Sequence, residues 1–504
     1  MITTERSFLK CQERLEQLIE SVLKSGQEGR RIDEVERAVL SELLQMGLLL
    51  LEGFVKSAGD GDVGATLTVP AIQEDSLASP GNVAVSDVRT CHRLKQRHSR
   101  PYVSIFGKLV IRRRVYGTRE GQKIEAAPLD ARLGLPAGDF SYVLEDWQQR
   151  LCVKESFSEA TGNLADLLGV APSVRAAEVM NRKMADFAPS FRQDQPLPPM
   201  NEEGEFLVIT GDGKGIPMRR VGGPKRSGGE RRGKGEKANK KQMSYVGAVY
   251  SINPFVRTAD DVLDELARKE TIAKRPKPQH KRVAAEMTQI IEGEECNGRV
   301  SLFGSLSEEV CARNPSGQKK VIAVMDGEKA LWTVLLFFLP TVICILDIFH
   351  VIERLWNAAH VFHREGSAEA KAFVTQRLRM LLEGKVGGVI GGLRQMMQKH
   401  RLSASKRRAL ETVIGYFENN RDHMLYDKYL AAGYPIGSGV AEGACRHLVK
   451  DRMEQTGMRW TVQGAQALLS LRAIYLNGDW QSFVTHRIEK EQKSHYPYKQ
   501  SLAT

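Results

Sequence analysis

The chain has 504 residues, 42% of them hydrophobic, and a formal net charge of +12. That apolar share excludes a disordered chain, the length predicts roughly two to four compact units, and the charge points to a polyanionic partner. Seven scattered cysteines with no CxxC pair exclude a zinc ribbon and a disulfide framework, and suit a reducing cytoplasm.

Residues 1 to about 57 read as two amphipathic helices. Phe8, Leu15, Leu18, Ile19 and Val22 form one stripe, and a Leu-richer stripe runs from Val35 to Val55. The expectation is a helical hairpin that packs or dimerises. Lys56 to Asp87 is rich in Gly, Asp, Ser, Thr and Pro and reads as a linker. RPYVSIFGKLVIRRRVY, from Arg100 to Tyr116, alternates apolar and polar residues around Phe106-Gly107-Lys108 and predicts a β-hairpin. Arg112 to Arg114 then fall on its second strand, as a solvated face or as phosphate contacts. Between Ser156 and Met184 a helix ends at Gly169, and Ser173 is placed to cap a second helix carrying Arg175, Asn181, Arg182 and Lys183. That is helix-turn-helix spacing, equally the spacing of an ordinary helical hairpin; in the first case Arg175, Arg182 and Lys183 face DNA.

From Glu205 the pattern becomes α/β. FLVIT (Phe206 to Thr210) predicts a short buried strand ending at Gly211-Asp212-Gly213, with glycine spacing that fits neither a Walker A nor a Rossmann loop. Arg219 to Lys241 holds ten Lys or Arg against two Glu. Arg219, Arg220, Lys225, Arg226, Arg231 and Arg232 are its candidate DNA-backbone contacts. Gln242 to Ile252 and Lys319 to Met325 predict two further strands, the latter ending at Asp326-Gly327. The longest apolar run, Ala330 to Phe349, contains Pro340, and only 16 residues lie between Ala330 and Asp347. A spanning helix needs about 20, so a buried helix, a break and a strand ending at Asp347 are expected, without membrane or lipid anchor. Residues 351 to about 430 read as a helical insertion, interrupted near Gly384 to Leu393.

The block YPIGSGVAEGACRHLVKDRMEQTGMRW, Tyr434 to Trp460, opens on a Pro/Gly turn. Ser438 is a candidate N-cap, and Ala441, Ala444, Cys445, Leu448, Val449 and Met453 form one buried helical stripe. Glu442 in the first turn is either a dipole-matched carboxylate paired with Arg446 or a metal ligand. Asp212 and Asp326 at strand ends, with Glu442, make a hard-oxygen set suited to two Mg²⁺ or Mn²⁺ ions and in-line phosphoryl displacement. Asp347 rivals Asp326 and equally suits a helix N-cap. Arg446, Lys450, Arg452 and Arg459 are then phosphate contacts, and Trp460 either stacks on a base or belongs to the core.

ITGDGKGIPMR, YVGAVYSINPFVRT, VIAVMDGEKALW, LDIFHVIERLW and the Tyr434–Trp460 block together resemble the ISKra-type insertion-sequence transposases, a bacterial DDE family. The resemblance spans Ile209 to Trp460, with NGDW at Asn477 to Trp480 as an extension. It implies an α/β fold with an RNase H-like mixed-sheet catalytic core and helical insertion, preceded by mainly helical DNA-binding regions. It also implies a nucleoid-associated enzyme of the bacterial cytoplasm that cleaves and joins DNA at terminal inverted repeats, homo-oligomeric on DNA. By motif the triad is Asp212, Asp326 and Glu442, and the Asp347/His350 spacing favours Asp326 as second ligand. A nuclease without strand transfer and a non-catalytic DNA-binding regulator are the alternatives. The expected division is 1–87, 88–199 (hairpin and helix-turn-helix), 200–350 (core), 351–430 (insertion), 431–482 (core with the Glu helix) and 483–504, a basic tail.

Overall fold

The computed structural model describes residues 2–70, 88–119, 121, 123–219, 241–268 and 275–502. They form two compact units, one of Met1–Phe187 with Trp480–Thr504 and the other of Ala188–Asp479.

The first unit begins with helices α1 (Ile2–Gln27) and α2 (Ile32–Ser57). Arg14 pairs with Glu42 at 3.0 Å and Lys56 donates to Ser7 at 2.9 Å, contacts that require an antiparallel hairpin. By length and composition α2 could cross a membrane, and little of its apolar stretch is buried. The stretch read as a linker contains a strand, β1 (Thr66–Pro70), because Leu67 and Val69 alternate into a small core. It pairs antiparallel with β2 (Val88–Arg93), which pairs in turn with β5 (Tyr116–Gly117). The expected hairpin forms as β3 (His98–Ser104) and β4 (Gly107–Arg113). Its second-strand cations are not a uniform solvated or phosphate-binding face. Arg113 is buried and, with Arg100, pairs with the buried Asp130 of α3 (Pro128–Leu133) at 2.7 and 2.9 Å. A bare Asp130 there would be a costly unpaired charge.

After α4 (Tyr142–Cys152) come α5 (Phe157–Leu168) and α6 (Val174–Ala185), the two helices expected from the capping residues. Ser156 and Glu159 form a capping box, Gly169 adopts the left-handed conformation, and Ser173 accepts from Ala176 N–H. The C-terminal segment read as a tail contains helix α19 (Trp480–His495), whose Arg487 binds Glu145 of α4.

The second unit starts with α7 (Ala188–Asp194) and centres on a five-stranded sheet. Its strands are β6 (Phe206–Pro217), β7 (Lys241–Ile252), β8 (Gln279–Met287), β11 (Lys320–Met325) and β12 (Ile343–Leu346). A small pair, β9 (Gln289–Ile291) and β10 (Glu294–Cys296), follows β8. The order is β12-β11-β6-β7-β8: β6, β7 and β8 pair antiparallel, whereas β11 and β12 run parallel to β6. Helices α9 (Gly298–Arg313) and α10 (Lys329–Phe338) are the crossovers that parallel pairing demands. β6 is longer than FLVIT predicted, because antiparallel pairing with β7 continues to Pro217, well past Ile209 where parallel pairing with β11 stops. Asp212 is therefore mid-strand.

Each strand alternates its side chains between two cores. Phe206, Val208, Ile322, Val324 and Ile345 join α11 (Ile348–Phe362), α12 (Ala368–Leu382), α13 (Val386–Lys399), α14 (Ala404–Asn419) and α15 (Tyr426–Ala431). Leu207, Ile209, Ala323 and Met325 instead meet α9 and α10. α8 (Ala259–Leu266) packs on the first of these cores. The insertion breaks at Gly384, but α13 runs straight through four glycines because Val386, Val389, Ile390 and Leu393 bury one stripe. The Glu442 helix is short: α16 (Gly439–Ala444) continues as a π-helical segment, Cys445–Lys450, then α17 (Asp451–Met453) and α18 (Val462–Asn477).

α9 lies unusually close to the sheet. Gly211 and Gly247 are cross-strand partners. A Cβ at Gly247 would lie 2.6 Å from Leu306 Cδ1 and 2.7 Å from Thr210 O. Gly247→Ala should therefore destabilise the protein by about 1–3 kcal/mol through overpacking. A urea melt with an unchanged midpoint would refute that contact.

Candidate functional site

Three aspartates stand in one row, and pairing register explains why. Ile209 pairs with Ala323 and Met325 with Leu346, all in parallel. Extended by the same count, Asp212 aligns with Asp326, and Asp326 with Asp347. Side chains alternate along a strand. Asp212 therefore shares a face with Phe206 and Val208, Asp326 with Ile322 and Val324, and Asp347 with Ile345. All five of those apolar residues belong to the core beneath α11 to α15, so the three carboxylates emerge on one side of the sheet.

α16 delivers the fourth carboxylate to that side. Ligand atoms of Asp347, His350 and Glu442 lie within 4.8 Å of one another. His350 sits in the first turn of α11, which Asp347 caps by accepting Phe349 N–H at 2.9 Å. The other Asp347 oxygen accepts from Ser438 Oγ. Ser438 thus spends its hydroxyl on Asp347 and makes no side-chain cap to its own helix. Asp347 is wholly buried with both oxygens engaged. Asp326 accepts Glu328 N–H at 3.1 Å. Asp212 accepts Gly213 N–H at 2.6 Å and the Cys445 thiol at 3.3 Å.

The electrostatics is that of crowded acids. Burial raises the Asp326 pKa above the ordinary carboxylate value, opposed by Glu328 N–H and raised further by Asp212 and Asp347. Burial also raises Asp347, against the hydrogen bonds from Ser438 and Phe349. Glu442 is raised by burial and by Asp347 and Asp212, against His350. Burial and Asp212 push the Cys445 thiol up, which keeps it protonated as a donor.

The remaining residues of the block divide sharply. Arg446 is exposed and lies 3.8 Å from Asp451, so Asp451, not Glu442, is its ion-pair partner. Lys450 and Arg459 are exposed, whereas Arg452 is fully buried, with its guanidinium 5.2 Å from the Trp460 ring. Arg452 is therefore no DNA contact. Trp460 is no stacking platform either: it is buried and donates Nε1–H to Met453 O at 3.1 Å. Its backbone exchanges hydrogen bonds with Pro217 O and Arg219 N–H, tying the segment after the Glu442 helix to the end of β6. Gly437 has no left-handed backbone; it is needed because a Cβ there would meet Phe349 Cε2 at 2.8 Å.

Of the other predicted contacts, Arg175, Lys183 and Arg219 are exposed and Arg182 is half-buried. Asn181 is buried, donating to Gln149 Oε1 at 2.8 Å, so it reads no base. Arg220, Lys225, Arg226, Arg231 and Arg232 lie outside the described residues. Ser438 and Cys445 as partners of the acids went unforeseen, because each bonds across a long sequence separation that no local pattern marks.

No protein-family model matches the chain, and no curated protein matches it. Among solved structures, the Drosophila P element transposase strand transfer complex is similar at 10% identity and a TM-score of 0.23. The likeness covers 67% of this chain and 80% of that one.

An acid whose pKa is raised on folding holds its proton more tightly in the native state. It adds stability below the ordinary carboxylate range and loses it as pH rises through the folded value. Asp326→Asn keeps an acceptor for Glu328 N–H but cannot ionise. Metal-free Asp326→Asn should therefore unfold at higher urea than the parent at about pH 8, an advantage shrinking towards about pH 4. An equal or lower midpoint at the higher pH would show that the row is not under electrostatic strain.

Proposed function

We propose that the chain is a metal-dependent DNA strand-cleaving and strand-joining enzyme, a DDE transposase acting on the terminal inverted repeats of an insertion sequence. The observation that carries the reading is the in-register row of Asp212, Asp326 and Asp347 faced by Glu442. Further support comes from the sheet, an antiparallel β6-β7-β8 meander extended by two parallel strands, as an RNase H-like core would have. The resemblance of the five motif blocks to the ISKra-type family points the same way.

The donor chemistry fits Mg²⁺ or Mn²⁺: carboxylates dominate, His350 is the one nitrogen in the group, and Asp212 and Asp347 help raise the pKa of Asp326 and Glu442. Two such ions, when bound, supply activation of the attacking oxygen and stabilisation of the leaving one. Asp212, Asp326 and Glu442 are the proposed ligands. Asp212 is aimed by Gly213 N–H and the Cys445 thiol, which leaves lone pairs on each oxygen. Asp326 is preferred to Asp347 because one N–H engages it, whereas Asp347 spends both oxygens holding α11 and Ser438 in place. Exposed Arg219, Arg446, Lys450 and Arg459 are proposed to hold the phosphate backbone, together with Arg220, Lys225, Arg226, Arg231 and Arg232. Arg175, Arg182 and Lys183 are proposed as DNA contacts of the α5–α6 pair.

Purified protein incubated with Mg²⁺, terminal-repeat DNA and a target plasmid should give nicked ends and joined product. Asp212→Asn, Asp326→Asn and Glu442→Gln should each lower joining at least about 100-fold while leaving DNA binding in gel shifts intact. Nicking without joined product would reduce the chain to a nuclease. Unchanged cleavage by all three variants would overturn the site.

A further inference from the structure

Given the strand-cleaving reading above, on which this rests, we propose that Arg354 is a further catalytic residue. Its guanidinium binds the non-bridging oxygens of the phosphate under attack, and the Tyr416 ring positions it there. Arg354 lies one turn beyond His350 on α11, so both side chains leave the same face of the helix. His350 is already grouped with Asp347 and Glu442 on that side. The guanidinium carbon of Arg354 stands 5.0 Å from the centre of the Tyr416 ring, a cation–π distance. Tyr416, carried by α14, also presses on the turn that follows Asp326: a Cβ on Gly327 would lie 2.7 Å from Tyr416 Cε2. One ring therefore touches both the Asp326–Gly327 turn and the cation.

Arg354 is half-buried yet has no hydrogen bond or ion pair among the described residues. Its Nε is sealed from solvent without a partner, which leaves the two terminal nitrogens to bind one. The insertion's other half-buried arginines are engaged: Arg377 donates to Phe373 O at 3.2 Å, and Arg379 pairs with Asp260 at 2.6 Å. Acids act nearby. Burial raises the Tyr416 pKa, and Asp326 and Asp347 raise it further, against Arg354. Glu353, the acid next to Arg354 in sequence, lies 3.9 Å from His350 instead. Tyr416 thus shelves a cation beside the acid row without letting it close onto a carboxylate. An anion with two oxygens side by side completes this arrangement, and a phosphodiester offers them to the guanidinium fork.

In cleavage, a water oxygen forms its bond to phosphorus and gives its proton to solvent. The bridging P–O bond breaks, and the leaving oxygen takes the bonding pair and a proton. The non-bridging oxygens carry the charge of the transition state, so a fixed cation there stabilises it beyond the bound substrate. Arg354 stays protonated throughout.

Two measurements on the full chain test this. In single-turnover cleavage of terminal-repeat DNA at saturating protein, Arg354→Gln should be about 100-fold slower than the parent. Arg354→Lys, with the charge but no fork, should be slowed by about 10-fold. Tyr416→Leu should lose about 10-fold, and Tyr416→Phe, which restores the ring, should recover most of it. Circular dichroism and urea melts show whether each slow variant is folded. The second measurement needs no cleavage: duplex affinity against salt, by gel shift in the Asp212→Asn background with Mg²⁺. There Arg354→Gln should lower the log–log slope by about one, the loss of one phosphate contact. A lowered slope with a parent that never cleaves would sink the enzyme reading and uphold the phosphate contact. A folded Arg354→Gln with parent-like rate or slope overturns the proposal, as does a Tyr416→Phe as slow as Tyr416→Leu.

Discussion

The register between β6, β11 and β12 is the constraint on which the site depends. Parallel pairing aligns three aspartates that sequence separates widely, and alternation turns all three to one face. A one-residue slip of β11 would send Asp326 to the α9 side and Ile322 out of its core. The acids cannot hold that register, since they repel. It is held by the apolar residues of the same strands: Phe206, Val208, Ile322, Val324 and Ile345 on one face, and Leu207, Ile209, Ala323 and Met325 on the other. Hydrophobic burial thus fixes a charge arrangement that is unfavourable by itself.

The helical insertion between Asp347 and Glu442 follows from the same need. α11 to α15 cover the face from which the acids emerge, and the chain then returns with Ile436 accepting Ile348 N–H at 2.9 Å. Ser438 closes on Asp347 at that crossing. Beyond it the π-helical turn re-aims the chain after Glu442, and the buried Arg472 donates to the His447 and Leu448 carbonyls at 2.8 and 2.9 Å. Cys445, inside that turn, reaches Asp212.

Much of this was legible where a local pattern carried it. The strands around Tyr250, Val324 and Ile345, the break at Pro340, and the capped α5–α6 pair all follow from periodicity and capping residues. What failed was longer-range. β8 and α9 went unread although Leu302, Phe303, Leu306 and Val310 mark one helix face, and β6 outran FLVIT because its length is set by a partner strand. The buried stripe after Glu442 was legible, but its π-helical winding was not, since the stabilising Arg472 lies on another helix. For the site, residue type named the acids, but only register shows that Asp347, besides capping α11, belongs to the row.

Residues that the sequence offered as possible nucleic-acid contacts serve two physical ends. Arg113 and Arg452 are buried and Trp460 is sealed against Met453, so all three act in cohesion. Arg446, Lys450 and Arg459 lie on the same stretch of chain but remain in solvent. The difference is one of phase along the chain: positions in line with Leu448, Val449 and Met453 turn inward and the others outward. Because Trp460 hydrogen-bonds the end of β6 through both its backbone groups, the stretch that presents Glu442 is anchored to the strand that presents Asp212. The exposed cations are thereby held at a defined offset from the carboxylates.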